Sequence, residues 1–209
     1  MTSLSDLANL YNTDKRESDH NYVNFYEQLM GKNRFNRTNL LEVGFGGGGS
    51  ARTWLEYFPN SSIYCIEYME DEHREVWMSP SLDVPNLKVI IGDSTKEETW
   101  RKIPYNFDYL IDDGDHHPHS QIKTFELGFP HLKSGGYYVI EDTHTNFEQR
   151  YTGGIDIIYK WVFDMIIRQQ TPGYNYGGDF YKCRHAIDGF AKDIYGYSFY
   201  KSLVVFQKA

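Results

Sequence analysis

Acidic and histidine side chains crowd one short stretch in the middle of the chain. Residues 111–119 read Ile-Asp-Asp-Gly-Asp-His-His-Pro-His and follow an apolar run, and the next apolar run ends in Glu141 and Asp142. If these two runs are neighbouring strands, the carboxylates of Asp113, Glu141 and Asp142 lie together. Carboxylates held this close repel one another and raise one another's pKa unless a cation lies between them. A divalent metal ion would remove that penalty.

The ligand chemistry of such a cluster indicates which ion and which reaction to expect. Carboxylate oxygens suit Mg²⁺, with Mn²⁺ and Ca²⁺ as alternatives, and leave positions for water or for vicinal hydroxyl groups of a substrate. A hydroxyl group bound to a dication loses its proton more easily, and we predict that His116 is the general base that accepts it. Two other interpretations stay open: zinc bound by the histidines His116, His117 and His119, and surface histidines beside helix-capping acids.

A glycine-rich turn near residue 45 indicates a nucleotide-like cofactor. The apolar run that ends at Val43 continues into Gly-Phe-Gly-Gly-Gly-Gly-Ser, in which Gly44, Gly46 and Gly49 fit the spacing G-x-G-x-x-G. Glycines let the backbone approach a ligand closely, and the helix that follows offers free N–H groups. The spacing alone does not separate NAD from S-adenosylmethionine, and a tight turn without a ligand shows it too.

Acidic residues at the ends of the apolar runs favour S-adenosylmethionine. Glu42 would hold the ammonium group of the methionine moiety, whereas it would repel a pyrophosphate. Glu67 is placed to accept hydrogen bonds from both ribose hydroxyls, unless it is a solvated acid. Asp93 and Ser94 would bind the adenine amino group, or they simply cap a helix. Asp112, which lies at the same edge of the sheet, completes the predicted cofactor contacts.

The elements that carry these residues alternate between strand and helix. Helical spacing of apolar residues appears in Ser50–Phe58, Asp71–Met78 and Gln121–Leu132. Lys133 to Gly136 reads as a helix-ending turn. The predicted parallel strands are Asn39–Val43, Ser62–Glu67, Lys88–Ile91, Phe107–Ile111 and Gly136–Ile140.

This alternation predicts the α/β class, with a doubly wound, Rossmann-like sheet. Tyr195–Tyr200 and Leu203–Gln207 are separated only by Lys201-Ser202, which allows an antiparallel hairpin and completes a seven-stranded sheet. The first thirty residues have apolar side chains at helical spacing. We expect residues 1–209 to form a single domain.

Composition restricts the partners. The net charge is −8 without a block of Lys or Arg, which argues against binding to nucleic acid or to an anionic membrane surface. The sequence contains no apolar run long enough to cross a membrane and no basic region followed by an apolar stretch at its N-terminus. We therefore expect a cytoplasmic protein that acts on a small molecule.

Taken together, these motifs resemble one family of enzymes. The sequence is similar to the metal-dependent class I sugar O-methyltransferases of macrolide and related glycoside biosynthesis, the mycinamicin type, from about Asp6 to Thr145. The resemblance is carried by the segments Glu42-Val43-Gly44, Ile111 to His116, Phe129 to Lys133 with Gly135-Gly136, Val139 to Asp142, and Tyr11 to Lys15 with His20, Tyr22 and Tyr26.

The resemblance implies roles for individual residues. Asp113, Glu141 and Asp142 would ligate Mg²⁺, and His116 would deprotonate a hydroxyl group of the acceptor. The stretch from Tyr11 through Thr13 to Tyr22 would close over S-adenosylmethionine, as part of an N-terminal helical lid of residues 1–35. The sequence departs from the family at Asp115, where we expect Ser, and at the extra histidine His117. Larger members carry a further N-terminal domain that helps to assemble oligomers, so a homo-oligomer is an expectation only.

The acceptor is less well defined than the donor. Residues 147–190 are rich in aromatic side chains and would form an acceptor lid by stacking on a sugar or polyketide face, or would merely pack on the sheet. A catechol, an amine or a carboxylate would serve equally as acceptor, because the fold does not report on it. An NAD-dependent oxidoreductase and a cofactor-binding relic with a role in assembly are the alternatives from other functional classes.

Overall fold

Seven strands form one mixed sheet in the computed structural model, which describes residues 2–68, 84–152, 156–170 and 189–209. The strands are β1 (Asn39–Val43), β2 (Ser62–Glu67), β3 (Leu87–Ile91), β4 (Phe107–Asp112), β5 (Leu132–Ile140), β6 (Ile194–Tyr200) and β7 (Leu203–Lys208). They lie in the order β3-β2-β1-β4-β5-β7-β6. Strands β1 to β5 run parallel, and β7 runs antiparallel to both β5 and β6. The predicted α/β class and antiparallel final pair are confirmed.

Helices cover both faces of the sheet. They are α1 (Leu4–Leu10), α2 (Val23–Met30), α3 (Gly49–Tyr57), α4 (Glu97–Trp100), α5 (Pro118–Gly128), α6 (Gln149–Thr152) and α7 (Ile158–Gln170). Helix α1 begins at a capping box between Ser3 and Asp6, and α5 has Pro118 in its first turn, where a missing N–H costs nothing. The predicted helix Asp71–Met78 and much of the aromatic stretch 147–190 lie outside the described residues. Among the described helices, none is long and apolar enough to cross a membrane.

The strands bury side chains on both faces in alternation. Leu40, Ile111 and Val139 belong to a cluster that packs against α1, α2 and α3. Leu41 and Leu110 belong to a second cluster, which packs against α5 and α7 on the opposite face. Successive residues of a strand point to opposite faces. This alternation decides which acidic residues at the strand ends meet.

The sequence misplaces the junction between α5 and β5. The predicted helix Gln121–Leu132 ends at Gly128, after which a single 3₁₀ turn spans Phe129–His131. The predicted turn from Lys133 to Gly136 lies inside β5, which begins at Leu132. Its residues form a bulge, since the pairing of β4 with β5 shifts register there and Gly135 adopts a φ of +77°. A glycine pair permits this irregularity and resembles a turn in sequence.

Candidate active site

A cavity of about 850 Å³ opens beyond the carboxyl ends of the parallel strands, where open α/β sheets bind their ligands. Its volume suits a ligand of nucleoside size. The lining includes most of the residues predicted to contact a cofactor, together with the candidate general base: Tyr11, Thr13, Gly44, Gly46, Glu67, Asp93, Ser94 and His116. The predicted contacts Tyr22, Glu42 and Asp112 are not among the lining residues.

The glycine turn is held against the end of β4. Gly44 has a φ of +92°, and a Cβ atom there would lie 2.1 Å from the carbonyl oxygen of Asp113. Only glycine fits such a position without a shift of the backbone. Glu67 Oε2 accepts hydrogen bonds from the backbone N–H groups of Phe45 (2.7 Å) and Gly46 (3.1 Å). The acid predicted to bind ribose hydroxyls therefore also shapes the turn.

Asp93 and Ser94 also line the cavity. Oδ1 of Asp93 accepts hydrogen bonds from the backbone N–H and the hydroxyl of Thr95, at 2.8 and 2.6 Å. The hydroxyl of Ser94 lies 2.8 Å from that of Thr124 on α5. Asp93 thus organises the loop after β3 in the same way that Glu67 organises the glycine turn.

The segment between α1 and α2 forms one wall of the cavity. Residues 11–14 line it, and the carbonyl oxygen of Tyr11 passes so close to Gly49 that a Cβ atom there would lie only 2.8 Å away. The hydroxyl of Tyr11 donates to Glu56 on α3 (2.6 Å). The N-terminal segment therefore packs directly on the start of α3, beside the glycine turn.

Three carboxylates from neighbouring strand ends point to the face that α1, α2 and α3 cover. They belong to Glu42 in β1, Asp113 after β4 and Glu141 after β5. Glu42 and Glu141 are buried and Asp113 is nearly so. Glu42 accepts a hydrogen bond from Ser50 at 2.8 Å, and its other oxygen has no hydrogen-bond partner among the described residues. Burial raises the pKa of Glu42 to about 7.

A lysine from the N-terminal segment neutralises this cluster. Nζ of Lys15 lies 2.5 Å from Asp113 Oδ2, 2.8 Å from Glu141 Oε2 and 3.6 Å from Glu42 Oε1, and Lys15 is only 2% exposed. Burial by itself lowers the pKa of a lysine, but the attraction of the three carboxylates outweighs it and raises the pKa of Lys15. The repulsion between Asp113 and Glu141 is thus relieved by an ammonium group of the chain itself.

A second set of possible metal ligands lies at the same strand ends and consists of Asp113, His116 and Asp142, which together are named the outward donor group. Ligand atoms of Asp113, His116 and Asp142 all lie within 4.8 Å of one another. Nε2 of His116 is 3.7 Å from Asp142 Oδ2, and its Nδ1 is buried without a hydrogen-bond partner among the described residues. Two carboxylates and an imidazole fit a divalent metal ion. The chemistry of these three side chains is the observation that supports a metal ion at this position.

Asp142 is surrounded by further polar rings. The hydroxyl of Tyr22 donates to Asp142 Oδ1 at 2.6 Å. His20 and His144 place Nδ1 at 3.7 and 3.8 Å from the same oxygen. Tyr22 thus contacts the candidate metal group, and its predicted contact with the cofactor stays a prediction. His20 was expected only as part of the segment over the cofactor, and His144 was not predicted to belong to the site.

Two predicted residues point elsewhere. Asp112 is buried on the opposite face of the sheet, where it accepts a hydrogen bond from Tyr138 (3.3 Å), and burial raises its pKa. Glu141 lies beside Asp113 as expected, but its oxygens accept from Lys15 and from the hydroxyl of Tyr26 rather than joining the outward donor group. Its role as a metal ligand stays a prediction, as does the cofactor contact of Asp112.

Sequence reasoning missed Lys15 and Tyr26 as partners of the carboxylates. Three acids at adjacent strand ends require a cation, and the ligand chemistry of carboxylates points first to a metal ion. The segment that carries Lys15 was already expected to lie over the cofactor site. A lysine within such a segment is the other possible source of positive charge.

Comparison with known proteins agrees with this geometry. A family model described as a methyltransferase domain matches residues 41–143. Mycinamicin VI 2''-O-methyltransferase of Micromonospora griseorubida is 32% identical over 188 residues, which cover 81% of this chain and 45% of that protein. Demethylmacrocin O-methyltransferase of Streptomyces fradiae is 27% identical, with coverage of 88% and 49%.

A solved structure gives the same result. The MycE methyltransferase of the mycinamycin pathway, in complex with Mg, S-adenosylhomocysteine (SAH) and mycinamycin VI, matches with a TM-score of 0.81 at 26% identity. The match covers 99% of this chain and 53% of that one. The chain therefore spans about half the length of these relatives. Fold, cavity and relatives agree that the chain has the class I methyltransferase fold, that its residues 41–143 match a methyltransferase domain, and that it resembles the sugar O-methyltransferases of the mycinamicin type.

Proposed function

We propose that the protein is an S-adenosylmethionine-dependent O-methyltransferase that methylates a hydroxyl group of a sugar or of a glycosylated small molecule. One observation carries the proposal. Asp113 and His116 belong both to the wall of the cofactor-sized cavity and to the outward donor group with Asp142. A methyl donor in the cavity and an acceptor at the donor group would therefore meet at these two residues.

The cavity suits S-adenosylmethionine in its polar lining. Glu67 is proposed for the ribose hydroxyls, Asp93 and Ser94 for the adenine, and residues 11–14 for closure over the ligand. Glu42 lies behind the glycine turn beside Lys15, so an interaction with the methionine ammonium group requires that group to reach below the turn. NAD is not proposed, because the relatives named above are methyltransferases.

Asp113 and Asp142 would hold Mg²⁺, with His116 beside them. The solved relative named above contains Mg. Bound there, the ion would supply Lewis-acid stabilisation of negative charge on an acceptor oxygen. Glu141 supports this group from behind, since it shares Lys15 with Asp113.

The chain itself supplies the base and the alignment. His116 would accept the hydroxyl proton, and Asp142, 3.7 Å from its Nε2, would stabilise the imidazolium that forms. The methyl group of a sulfonium is already activated, so the remaining task is to hold the acceptor oxygen in line with it. The oxygen attacks the methyl carbon, the carbon–sulfur bond breaks, and S-adenosylhomocysteine leaves with the electron pair.

Transfer of a labelled methyl group tests the proposal. The protein is incubated with methyl-labelled S-adenosylmethionine, Mg²⁺ and a panel that contains deoxysugar glycosides, catechols and amines. The expected product is a glycoside that has gained one labelled methyl group on oxygen, with the signal lost in excess chelator. Methylation of a catechol or an amine alone would overturn the acceptor class, and no methylation of any acceptor would contradict the activity.

The other sequence-based expectations remain proposals. An acceptor lid within residues 147–190 would place aromatic side chains beside Asp142, since Phe147 ends the 3₁₀ turn that follows this residue. A cytoplasmic location and a homo-oligomeric state are tested by fractionation of cells and by the mass of the protein in solution.

A further inference from the structure

We propose that Lys15 is a positioning residue of the site, which fastens the cofactor-covering segment to the carboxylate that the cavity shares with the metal group. This inference rests on the proposed function. Lys15 directly follows the four residues, 11–14, that line the cavity. Its ammonium group contacts Asp113 at 2.5 Å, and Asp113 belongs to both the cavity and the outward donor group. One side chain thus connects the two halves of the site.

Backbone hydrogen bonds connect Lys15 to the rest of the segment. Its carbonyl oxygen accepts from the N–H groups of Tyr22 (2.9 Å) and Val23 (3.0 Å), and so closes residues 15–22 into a loop at the start of α2. The N–H of His20 donates to the neighbouring carbonyl of Asp14 at 3.0 Å. If the ammonium group loses its contacts with the carboxylates at the strand ends, neither this loop nor the preceding cavity wall, residues 11–14, is held against the sheet.

The electrostatics explain why the anchor is a lysine. Three carboxylates from three strand ends converge on one buried ammonium group, at 2.5, 2.8 and 3.6 Å. A buried charge that loses its partner is strongly unfavourable. Movement of the segment away from the sheet would separate Lys15 from the three carboxylates and would leave charges unpaired both on the segment and on the sheet. A metal ion and Lys15 also draw on the same Asp113 carboxylate. Closure of the segment over the cofactor and occupation of the metal group are therefore coupled through Asp113.

The test compares Lys15→Met with wild type by calorimetric titration with SAH in chelator-treated buffer. If the closed segment falls to about a tenth of the population, the apparent affinity falls about tenfold. Lys15→Arg, which keeps a positive charge, should retain more affinity than Lys15→Met. Lys32→Met, an exposed lysine on the 3₁₀ turn after α2, is the matched control and should bind as wild type does.

Hydrogen exchange gives a second readout, because it distinguishes a local change in the segment from destabilisation of the whole fold. In Lys15→Met the amides of residues 13–23 should exchange faster, while those of β1 and β4 keep their wild-type protection. If Lys15→Met fails to fold, the double variant Lys15→Met/Glu141→Gln removes both charges of one ion pair. It should show the same loss of SAH affinity and the same local exchange.

The outcomes separate this inference from the proposed function. No SAH binding by wild type would contradict the function itself. Wild-type binding with an unchanged affinity in Lys15→Met, or in the double variant, and unchanged exchange of residues 13–23 would overturn the role of Lys15 alone. Faster exchange throughout the sheet would likewise reduce Lys15 to a counter-ion that stabilises the whole fold.

Discussion

Nε2 of His116 lies 3.7 Å from Oδ2 of Asp142, although the two residues follow different strands. Both adopt left-handed backbone conformations, with φ values of +59° and +54°. Side-chain-bearing residues rarely take such values, and they persist where the surrounding structure imposes them, often at functional sites. The strained backbone at the two strand ends thus brings an imidazole and a carboxylate to one point.

We predict that His116→Ala strongly slows turnover without loss of cofactor binding. Loss of a general base lowers the rate by about a hundredfold to ten-thousandfold, whereas the affinity for SAH should stay within about twofold of wild type. Single-turnover rates and calorimetry measure the two quantities. His117→Ala is the matched control, because this neighbouring histidine is half exposed and lies outside the outward donor group.

The same variant separates a base from a metal ligand. A base that does not bind the metal leaves the Mg²⁺ affinity nearly unchanged in His116→Ala. A large loss of Mg²⁺ affinity would make His116 a ligand, and a loss of SAH affinity would assign it to the cofactor pocket.

Asp142→Asn should weaken activation by Mg²⁺. Replacement of one carboxylate oxygen by an amide removes a charge from the donor group and should raise the Mg²⁺ concentration for half-maximal activity about tenfold or more. Glu126→Gln, on the surface of α5, is the control and should titrate as wild type does. Full activity of wild type in excess chelator would remove the metal from the mechanism.

Gly44→Ala should destabilise the protein, and Gly47→Ala should not. A Cβ atom at Gly44 meets the carbonyl of Asp113 on a backbone that disfavours side chains, which together cost about 3 kcal/mol or more. At the exposed Gly47 a Cβ atom meets nothing within 4 Å, so the change should stay within about 0.5 kcal/mol. Urea unfolding of both variants checks this. Equal stabilities would show that the turn does not require glycine at residue 44.

The sequence predicted the strand ends that carry the site, because apolar runs followed by acids, glycines and histidines mark them. It placed Asp112 and Asp113 in one site, whereas alternation along β4 sends the side chains of these neighbours to opposite faces of the sheet. It also did not pair Glu141 with Lys15, because this contact joins residues 126 positions apart and depends on how the N-terminal segment folds back. The β5 bulge was missed because its glycines resemble a turn.

The Glu42→Gln variant should become more stable relative to wild type as the pH rises. Burial raises the pKa of Glu42 to about 7, above the value near 4.5 of an unfolded chain. Between these values the folded protein holds a proton that the unfolded chain releases, so wild type loses stability as the pH rises through this window. The variant has no carboxyl group at this residue and does not lose this stability. The difference in the free energy of unfolding between the variant and wild type should therefore shift in favour of the variant by up to about 3 kcal/mol from pH 5 to pH 8.

Urea unfolding at the two pH values measures this difference, and an unchanged difference would contradict the raised pKa. The predicted contact with the methionine ammonium group is tested in the same variant. Glu42→Gln should weaken the binding of SAH but leave unchanged the binding of 5'-methylthioadenosine, which lacks the ammonium group. Equal weakening of both ligands would assign Glu42 to the shape of the turn alone.

Calorimetric titration of the purified protein with SAH, and then with Mg²⁺, in chelator-treated buffer tests the central claim most directly. The claim is that a cofactor cavity and a metal group share Asp113 and His116. It predicts that both ligands bind, and that the affinity for SAH differs between the metal-free and the metal-loaded protein. Binding of neither ligand, or binding of both without any effect of one on the other, would contradict it.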